Sequence, residues 1–259
     1  MPPFSHTWAV RTDPGRRRTS NEDSHRSRPE MGLFIVADGM GGHVAGEVAS
    51  RIAVEAVESF IEETNGVDRN RTWPFPFEPE LSLGGNRLKA AFRLANRRIA
   101  SAIGEAQDLR GMATTASALL LGPDSACVGH VGDSRVYVLR EGELHQITSD
   151  HSWVEEQVRA GTLTASAARQ HPWRNVVTRA LSGGDDPEVD VTEISPIAGD
   201  RYLLCSDGLF GVVSNARIAE ILAGSGEGLD DICQQLIEAA NEGGGPDNIT
   251  ALVLQIDGS

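Results

Sequence analysis

Four aspartates stand where an apolar run stops, each with a glycine close by: Asp38 before Gly39, Asp133 after Gly132, Asp207 before Gly208, and Asp247 after Gly245-Pro246. Any one of them alone reads as a turn, because aspartate and glycine are common turn residues. Four at apparent strand ends constrain the fold more tightly. Strand ends on one side of a sheet can converge, and carboxylates gathered away from water repel one another unless cations bind among them. Hard divalent ions such as Mg²⁺ and Mn²⁺ suit that arrangement, since they take oxygen ligands in near-octahedral geometry and keep several waters. Zinc would call for histidine or thiolate ligands at motif spacing, whereas Cys127, Cys205 and Cys233 are scattered, odd in number and form no C-x-x-C pair. Gly39 has a reason of its own, because a residue without Cβ lets its carbonyl approach an ion closely. Two ions about 3.5–4 Å apart can then share Asp38.

Periodicity places these aspartates on elements. A first strand is expected over 6–11 and a fully buried second strand over 32–37, followed by a helix over 44–61 with Val48, Ile52, Val54, Val57 and Ile61 along one side. Trp73-Pro74-Phe75-Pro76-Phe77 holds too many prolines for a helix and reads as an extended excursion with its aromatics at the core edge. A second helix follows over 86–102. Four short runs, 115–121, 125–131, 135–140 and 143–148, are separated by turn signals and suggest an antiparallel meander. Two short polar helices over 152–160 and 164–170, strands over 189–194 and 201–205, helices over 215–222 and 229–240, and a last strand over 248–256 complete the reading. Helices segregated from strands argue for an α+β fold rather than alternating βαβ units.

Composition removes other classes. A net charge of −14 over 259 residues is the wrong sign for a surface that neutralises a phosphate backbone, so no nucleic-acid partner is expected. The longest apolar stretches, such as 33–37 and 116–121, fall far short of the ~20 residues that cross a bilayer. The N-terminal residues lack the basic and apolar regions of a secretory signal. With buried thiols suited to a reducing compartment, the expectation is a cytoplasmic protein without a membrane partner.

Six motifs occur in order: Arg18-Thr-Ser-Asn-Glu-Asp23, Val36-Ala-Asp-Gly-Met-Gly-Gly-His43, Gly111-Met-Ala-Thr-Thr115, Val131-Gly-Asp-Ser-Arg135, Cys205-Ser-Asp-Gly-Leu209 and Gly245-Pro-Asp-Asn-Ile-Thr250. Together, over about residues 6–256, they resemble the bacterial branch of metal-dependent serine/threonine protein phosphatases of the 2C type. The resemblance implies a four-layer αββα sandwich, two antiparallel sheets flanked by helix pairs, with two tight Mg²⁺ or Mn²⁺ sites at one end. It implies that Asp38 bridges the ions, that the Gly39 carbonyl binds one, and that Asp207 and Asp247 bind the other. It sets Glu22 and Asp23 behind the ligands, and gives Asp133, with Asp207, a third, weaker ion. Arg18 matches the arginine that clamps the substrate phosphate, a role its guanidinium fork suits; the plainer reading is a solvated tract with Arg16 and Arg17. The chain would be one catalytic domain over 1–259, with a variable flap at about 149–182 that carries Arg159, Arg169, Arg174 and Arg179 beside Trp153 and Trp173. Blander roles fit other residues. Arg135 reads as a brace for the meander, Asn248 and Thr250 as caps of the last strand, and Trp8, Trp73 and Phe75 as packing.

The implied reaction is hydrolysis of phosphoserine and phosphothreonine in proteins by a metal-activated water, with phosphorylated proteins, including serine/threonine kinases and their substrates, as partners and a monomer as the working unit. A phosphatase dedicated to one partner-switching regulator and a phosphoprotein-binding pseudophosphatase are the alternatives, the second opposed by the presence of every ligand aspartate. One departure stands out. Animal members carry a histidine two residues after the bridging aspartate, proposed as the acid for the leaving group, and here that position is Met40. A thioether cannot donate a proton, which leaves His43 or a metal-held water for the task.

Overall fold

The computed structural model describes residues 4–41, 44–66, 75–122, 125–224 and 228–257. In chain order the elements are β1 (His6–Asp13), β2 (Asp23–Arg28), β3 (Leu33–Met40), α1 (Ala45–Glu63), α2 (Leu83–Glu105), β4 (Ala113–Thr114), β5 (Ala116–Leu121), β6 (Ala126–Val131), β7 (Arg135–Arg140), β8 (Glu143–Gln146), α3 (Trp153–Arg159), α4 (Ala165–Arg169), β9 (Asp190–Ile194), β10 (Arg201–Cys205), α5 (Asp207–Phe210), α6 (Asn215–Leu222), α7 (Leu229–Glu242) and β11 (Ile249–Ile256). One antiparallel sheet runs β1-β11-β10-β7-β8; the other runs β2-β3-β5-β6-β9, with β4 pairing on β3.

Period-2 alternation sorts the apolar side chains into three layers. On β3, Leu33, Ile35 and Ala37 pack under α1 and α2 with Val57, Leu88 and Phe92, while Phe34 and Val36 face the other sheet. On β11, Ile249, Ala251 and Val253 pack under α6 and α7 with Ile218, Ile232 and Leu236, while Leu252, Leu254 and Ile256 turn inward. The layer between the sheets adds Leu119, Val128, Val136, Tyr202 and Leu204. Each fully buried Val, Leu, Ile or Phe among them contributes roughly 1.5–3 kcal/mol, and a strand buried on both faces has no polar side to reveal its direction, which is why 32–37 reads as a continuous apolar run. The architecture is the αββα sandwich.

Two sequence expectations change. The run 32–37 is the third strand, because β2 precedes it with the polar sequence Asp-Ser-His-Arg-Ser-Arg. As an edge strand it draws on backbone pairing with β3 and on ion pairs from Arg26 and Arg28 to Glu58 of α1, the first at 2.9 Å. The four central runs are also no meander. β5 pairs with β6 and β7 with β8, but β6 and β7 lie in different sheets. The chain crosses between the sheets at Gly132-Asp133-Ser134, where Gly132 has φ +109° and an added Cβ would stand 2.5 Å from the Thr115 side chain. Of the aromatics in the extended excursion, Phe75 is buried beneath the Arg97 guanidinium, 4.3 Å from its ring centre, and Trp73 lies outside the described residues. Trp8 is an edge residue, tilted against Phe34 at 6.2 Å.

Candidate active site

Strand register gathers the aspartates. Asp23 pairs with Asp38 across β2 and β3, and Cys205 of β10 stands opposite Ala251 of β11 and Arg135 of β7. The ends of β3 and β10 and the starts of β2, β7 and β11 therefore lie at one end of the sandwich. Asp38 sits within the last residues of β3, Asp207 opens α5, Asp247 precedes β11, and Asp133 occupies the crossing turn. The two sheets are tied here. Asp23 Oδ2 accepts hydrogen bonds from Ser206 Oγ and Thr250 Oγ1, both at 2.7 Å.

The backbone around Asp38 is held on every side. Its N–H donates to Thr115 Oγ1 at 3.0 Å, and its carbonyl accepts from the Thr115 N–H at 2.9 Å and from Thr114 Oγ1 at 2.8 Å. Gly39 donates its N–H to the Glu22 carbonyl at 3.1 Å, and a Cβ there would collide with the Gly46 carbonyl at the start of α1. Close packing of α1 on this strand is a second reason for the glycine, one that sequence reading did not supply. The Glu22 side chain lies against Gly46, its N–H donates to Asn248 Oδ1 at 2.8 Å, and the same asparagine donates to the carbonyls of Pro14 at 3.0 Å and Ser20 at 2.8 Å. Asn248 and Thr250 thus do more than cap a strand: they suspend the Arg18–Asp23 segment from β11. Ser50 of α1 joins them, donating to the Glu22 carbonyl at 2.6 Å.

Electrostatically this end is over-supplied with carboxylates. Loss of hydration, followed by the charges of Asp23, Asp207, Asp133 and Asp247, raises the Asp38 carboxyl well above the ordinary range. Asp207 is pushed up to about 6 by burial and then by Asp247, against a hydrogen bond from Asp38. Asp133 rises to about 7 through burial, then Asp207 and Asp150, and Asp23 to about 7 through burial despite its two hydroxyl donors. The Oδ1 atoms of Asp23 and Asp207 are buried with no hydrogen-bond partner among the described residues. A buried acceptor without a donor costs about 1–3 kcal/mol, so these oxygens stabilise the fold only when something positive meets them.

Arg18 supplies part of that charge. Its Nη2 donates to Asp247 Oδ2 at 2.7 Å, and the side chain stays half exposed. Among the described residues no three histidine, cysteine, aspartate or glutamate side chains are grouped closely enough to hold one metal ion as they stand; Asp38 lies against Asp207, while Asp247 is engaged by Arg18. Cys205 points into the apolar layer beneath α6 and α7. An oxygen-only donor set with orphaned carboxylate atoms fits Mg²⁺ or Mn²⁺, ions that are held through a few carboxylates and keep waters for exchange with phosphate oxygens rather than sitting in all-protein cages. Of the residues singled out from sequence, Arg18, Glu22, Asp23, Asp38, Gly39, Asp133, Asp207 and Asp247 meet at this end, while His43 lies outside the described residues. Arg135 is a brace, though not for a meander: it grips Asp150 through Nε at 2.9 and 3.1 Å and Nη2 at 2.7 Å, and covers the Phe210 ring at 3.7 Å.

A sequence profile described as Protein phosphatase 2C matches residues 15–244. The serine/threonine protein phosphatase PstP of Mycobacterium tuberculosis is 40% identical over 253 residues, which cover 96% of this chain and 45% of that protein, so the chain spans about half the length of this relative. The serine/threonine phosphatase stp of Listeria monocytogenes is 36% identical over 253 residues, 95% of this chain and 94% of that one. Among solved structures, the PstP catalytic domain in complex with two manganese ions superposes with a TM-score of 0.80 at 37% identity, covering 97% of this chain and 98% of that chain. With the profile spanning most of its length, the chain belongs to the protein phosphatase 2C family.

Proposed function

We propose that this chain hydrolyses phosphoserine and phosphothreonine monoesters in proteins, using two divalent cations, Mg²⁺ or Mn²⁺, at the carboxylate end of the sandwich. The observation that carries the reading is the group Asp38, Asp133 and Asp207, raised carboxyls that include an orphaned buried oxygen, facing a half-exposed arginine. Asp38 would be shared by both ions, with the Gly39 carbonyl on one and Asp207 and Asp247 on the other; Asp133 would contribute to a third, weaker site. When bound, the cations lower the pKa of water and screen the phosphoryl oxygens, which provides a hydroxide nucleophile near neutral pH. The chain's own residues do the rest. Thr114 and Thr115 fix the backbone of Asp38, Asn248 and Thr250 fix Glu22 and Asp23, and Arg18 can turn from Asp247 to a phosphate without leaving the site. His43 is the candidate proton donor to the departing serine or threonine oxygen. Residues 149–182 stand beside this end as the flap, and the chain acts in the cytoplasm as a monomer on phosphorylated proteins.

The test is a phosphoserine and phosphothreonine peptide panel assayed with Mn²⁺, with Mg²⁺ and with chelator. Turnover that requires the cation is expected. Mn²⁺ binding without turnover of any peptide or of nitrophenyl phosphate would replace this reading with a phosphoprotein-binding role.

A further inference from the structure

The segment 149–182 leaves the carboxylate end through two consecutive buried residues, Asp150 and His151, which engage the start of β7 and the turn that carries Asp133. Asp150 receives the Arg135 guanidinium from one flank. His151 closes the other: the Gly132 N–H donates to His151 Nδ1 at 3.1 Å, and the His151 N–H donates back to the Gly132 carbonyl at 2.7 Å. An amide N–H can only donate, so Nδ1 is the acceptor and the ring proton sits on Nε2. That nitrogen lies 3.1 Å from Asp190 Oδ2 at the start of β9. The ring also lies tilted against His130, with centroids 4.7 Å apart, and the His151 carbonyl accepts from the Thr178 N–H at 2.8 Å, where the segment returns. The turn has little slack, since Gly132 abuts Thr115, and Thr115 Oγ1 holds both the Asp38 N–H and, at 2.6 Å, Ser134 Oγ. One imidazole thus joins the base of the segment, β9 and the turn whose placement sets Asp133 against Asp38 and Asp207.

We propose that His151 is a positioning residue: by accepting the Gly132 N–H it holds the Asp133 turn in the geometry that gives Asp133 its share of cation binding. This rests on the cation reading of Asp38, Asp133 and Asp207 given above. A histidine that merely fills space would be served by any side chain of similar size, whereas a positioning histidine needs an acceptor one atom beyond Cγ. Asparagine keeps that acceptor, because its Oδ1 stands where Nδ1 does. Glutamine places its amide farther out, toward Asp190, and loses it.

The experiment titrates Mn²⁺ alone into metal-free parent, His151→Asn, His151→Gln and Asp190→Asn proteins by calorimetry, with melting temperatures recorded for each. Outer-sphere partners of metal sites change affinity by about 10–100-fold when replaced. The weakest Mn²⁺ site should lose affinity by that factor in His151→Gln, stay within about threefold of the parent in His151→Asn, and leave the tighter sites unmoved in both. Asp190→Asn, at a half-exposed side chain, should produce a smaller loss at the same site and covers the case in which His151→Gln does not fold. Equal losses in the asparagine and glutamine variants, or no change at the weakest site in any variant, would make His151 a packing residue. A parent protein that binds no Mn²⁺ at all would instead overturn the cation reading beneath this proposal.

Discussion

Asp200 and Asp207 stand at opposite ends of the same strand, β10, and could hardly be treated more differently. Asp200 is 1% exposed and saturated: Arg140 donates through Nε at 2.8 Å and Nη2 at 2.6 Å, the Tyr202 hydroxyl at 2.9 Å and the Ile197 N–H at 3.0 Å. Burial alone would raise its carboxyl, but these donors outweigh it and hold the group below the ordinary range. Asp207 has a hydrogen-bonding neighbour in Asp38, a repelling one in Asp247 and an orphaned oxygen. One end spends its carboxylate on stability; the other leaves carboxylates unsatisfied. The contrast separates a structural acid from a site by donor count: four donors meet Asp200, while one oxygen of Asp207 meets none.

The comparison breaks most sharply on activity. Asp207→Asn should abolish phosphatase turnover, a loss well beyond the about 10–100-fold that follows removal of an outer partner, and should reduce the Mn²⁺ stoichiometry. Asp200→Asn should leave kcat and Mn²⁺ binding at the parent values. Equal turnover in the two variants would erase the distinction between the ends.

Next in size is the pH dependence of stability in chelator-treated protein. Asp207, at about 6, and Asp23 and Asp133, at about 7, hold protons more tightly in the folded than in the unfolded chain. Folding therefore takes up protons, and stability should fall as pH rises from about 4 to about 7. At pH 7 the Asp207→Asn variant should be about 1–3 kcal/mol more stable than the parent without metal, and less stable than the parent with Mn²⁺. Asp200 works in the opposite sense: its contribution is present above the usual carboxylate range and is lost as pH drops below it. Urea melts at about pH 3, 4.5 and 7, with and without Mn²⁺, measure both slopes. Asp200→Asn, which leaves Arg140 short of a charged partner, should cost about 1–2 kcal/mol at pH 7 with or without metal.

The smallest effect concerns the two arginines. Arg140 is fixed by Asp200 and the Ser195 carbonyl, whereas Arg18 makes one ion pair and stays half exposed. Arg18→Ala should raise KM for nitrophenyl phosphate by roughly 3–10-fold, the discounted value of a charged hydrogen bond on a half-exposed side chain, with little change in melting temperature. Unchanged kinetics would return Arg18 to a solvated basic tract.

Much of this was readable before any coordinates. The α+β class followed from apolar periodicity; the positions of Asp38, Asp133, Asp207 and Asp247 at the stops of apolar runs allowed them to converge, and the family resemblance placed them at one end of the sandwich. What stayed hidden has physical causes. β2 carries no apolar alternation, being an edge strand held by β3 and by Glu58, so period-2 patterning has nothing to detect. The break in the supposed meander is invisible locally, since Gly132-Asp133-Ser134 carries the same turn chemistry as a hairpin, and only packing decides whether the next strand stays in the sheet or crosses. The hydroxyl clasp on Asp23 joins Ser206 and Thr250 to a residue far away in the chain, and none of the three is unusual in its own neighbourhood. His151 gives no sign in sequence of the amide it accepts.

The pairing of β1 with β11 brings Thr12 and Thr250, 238 positions apart, to within 2.8 Å, and Asn248 reaches the Pro14 and Ser20 carbonyls across the same gap. Contacts of such long range form late, because the loop they close must be ordered first. On the ribosome, α1 can cover β3 and Asp38 long before residues 247–250 have been made. The Arg18–Asp23 segment must wait for them, and so must half of the carboxylate cluster. A growing chain of this kind therefore lacks a complete carboxylate end until β11 is in place, and translation itself sets the moment at which that end is assembled.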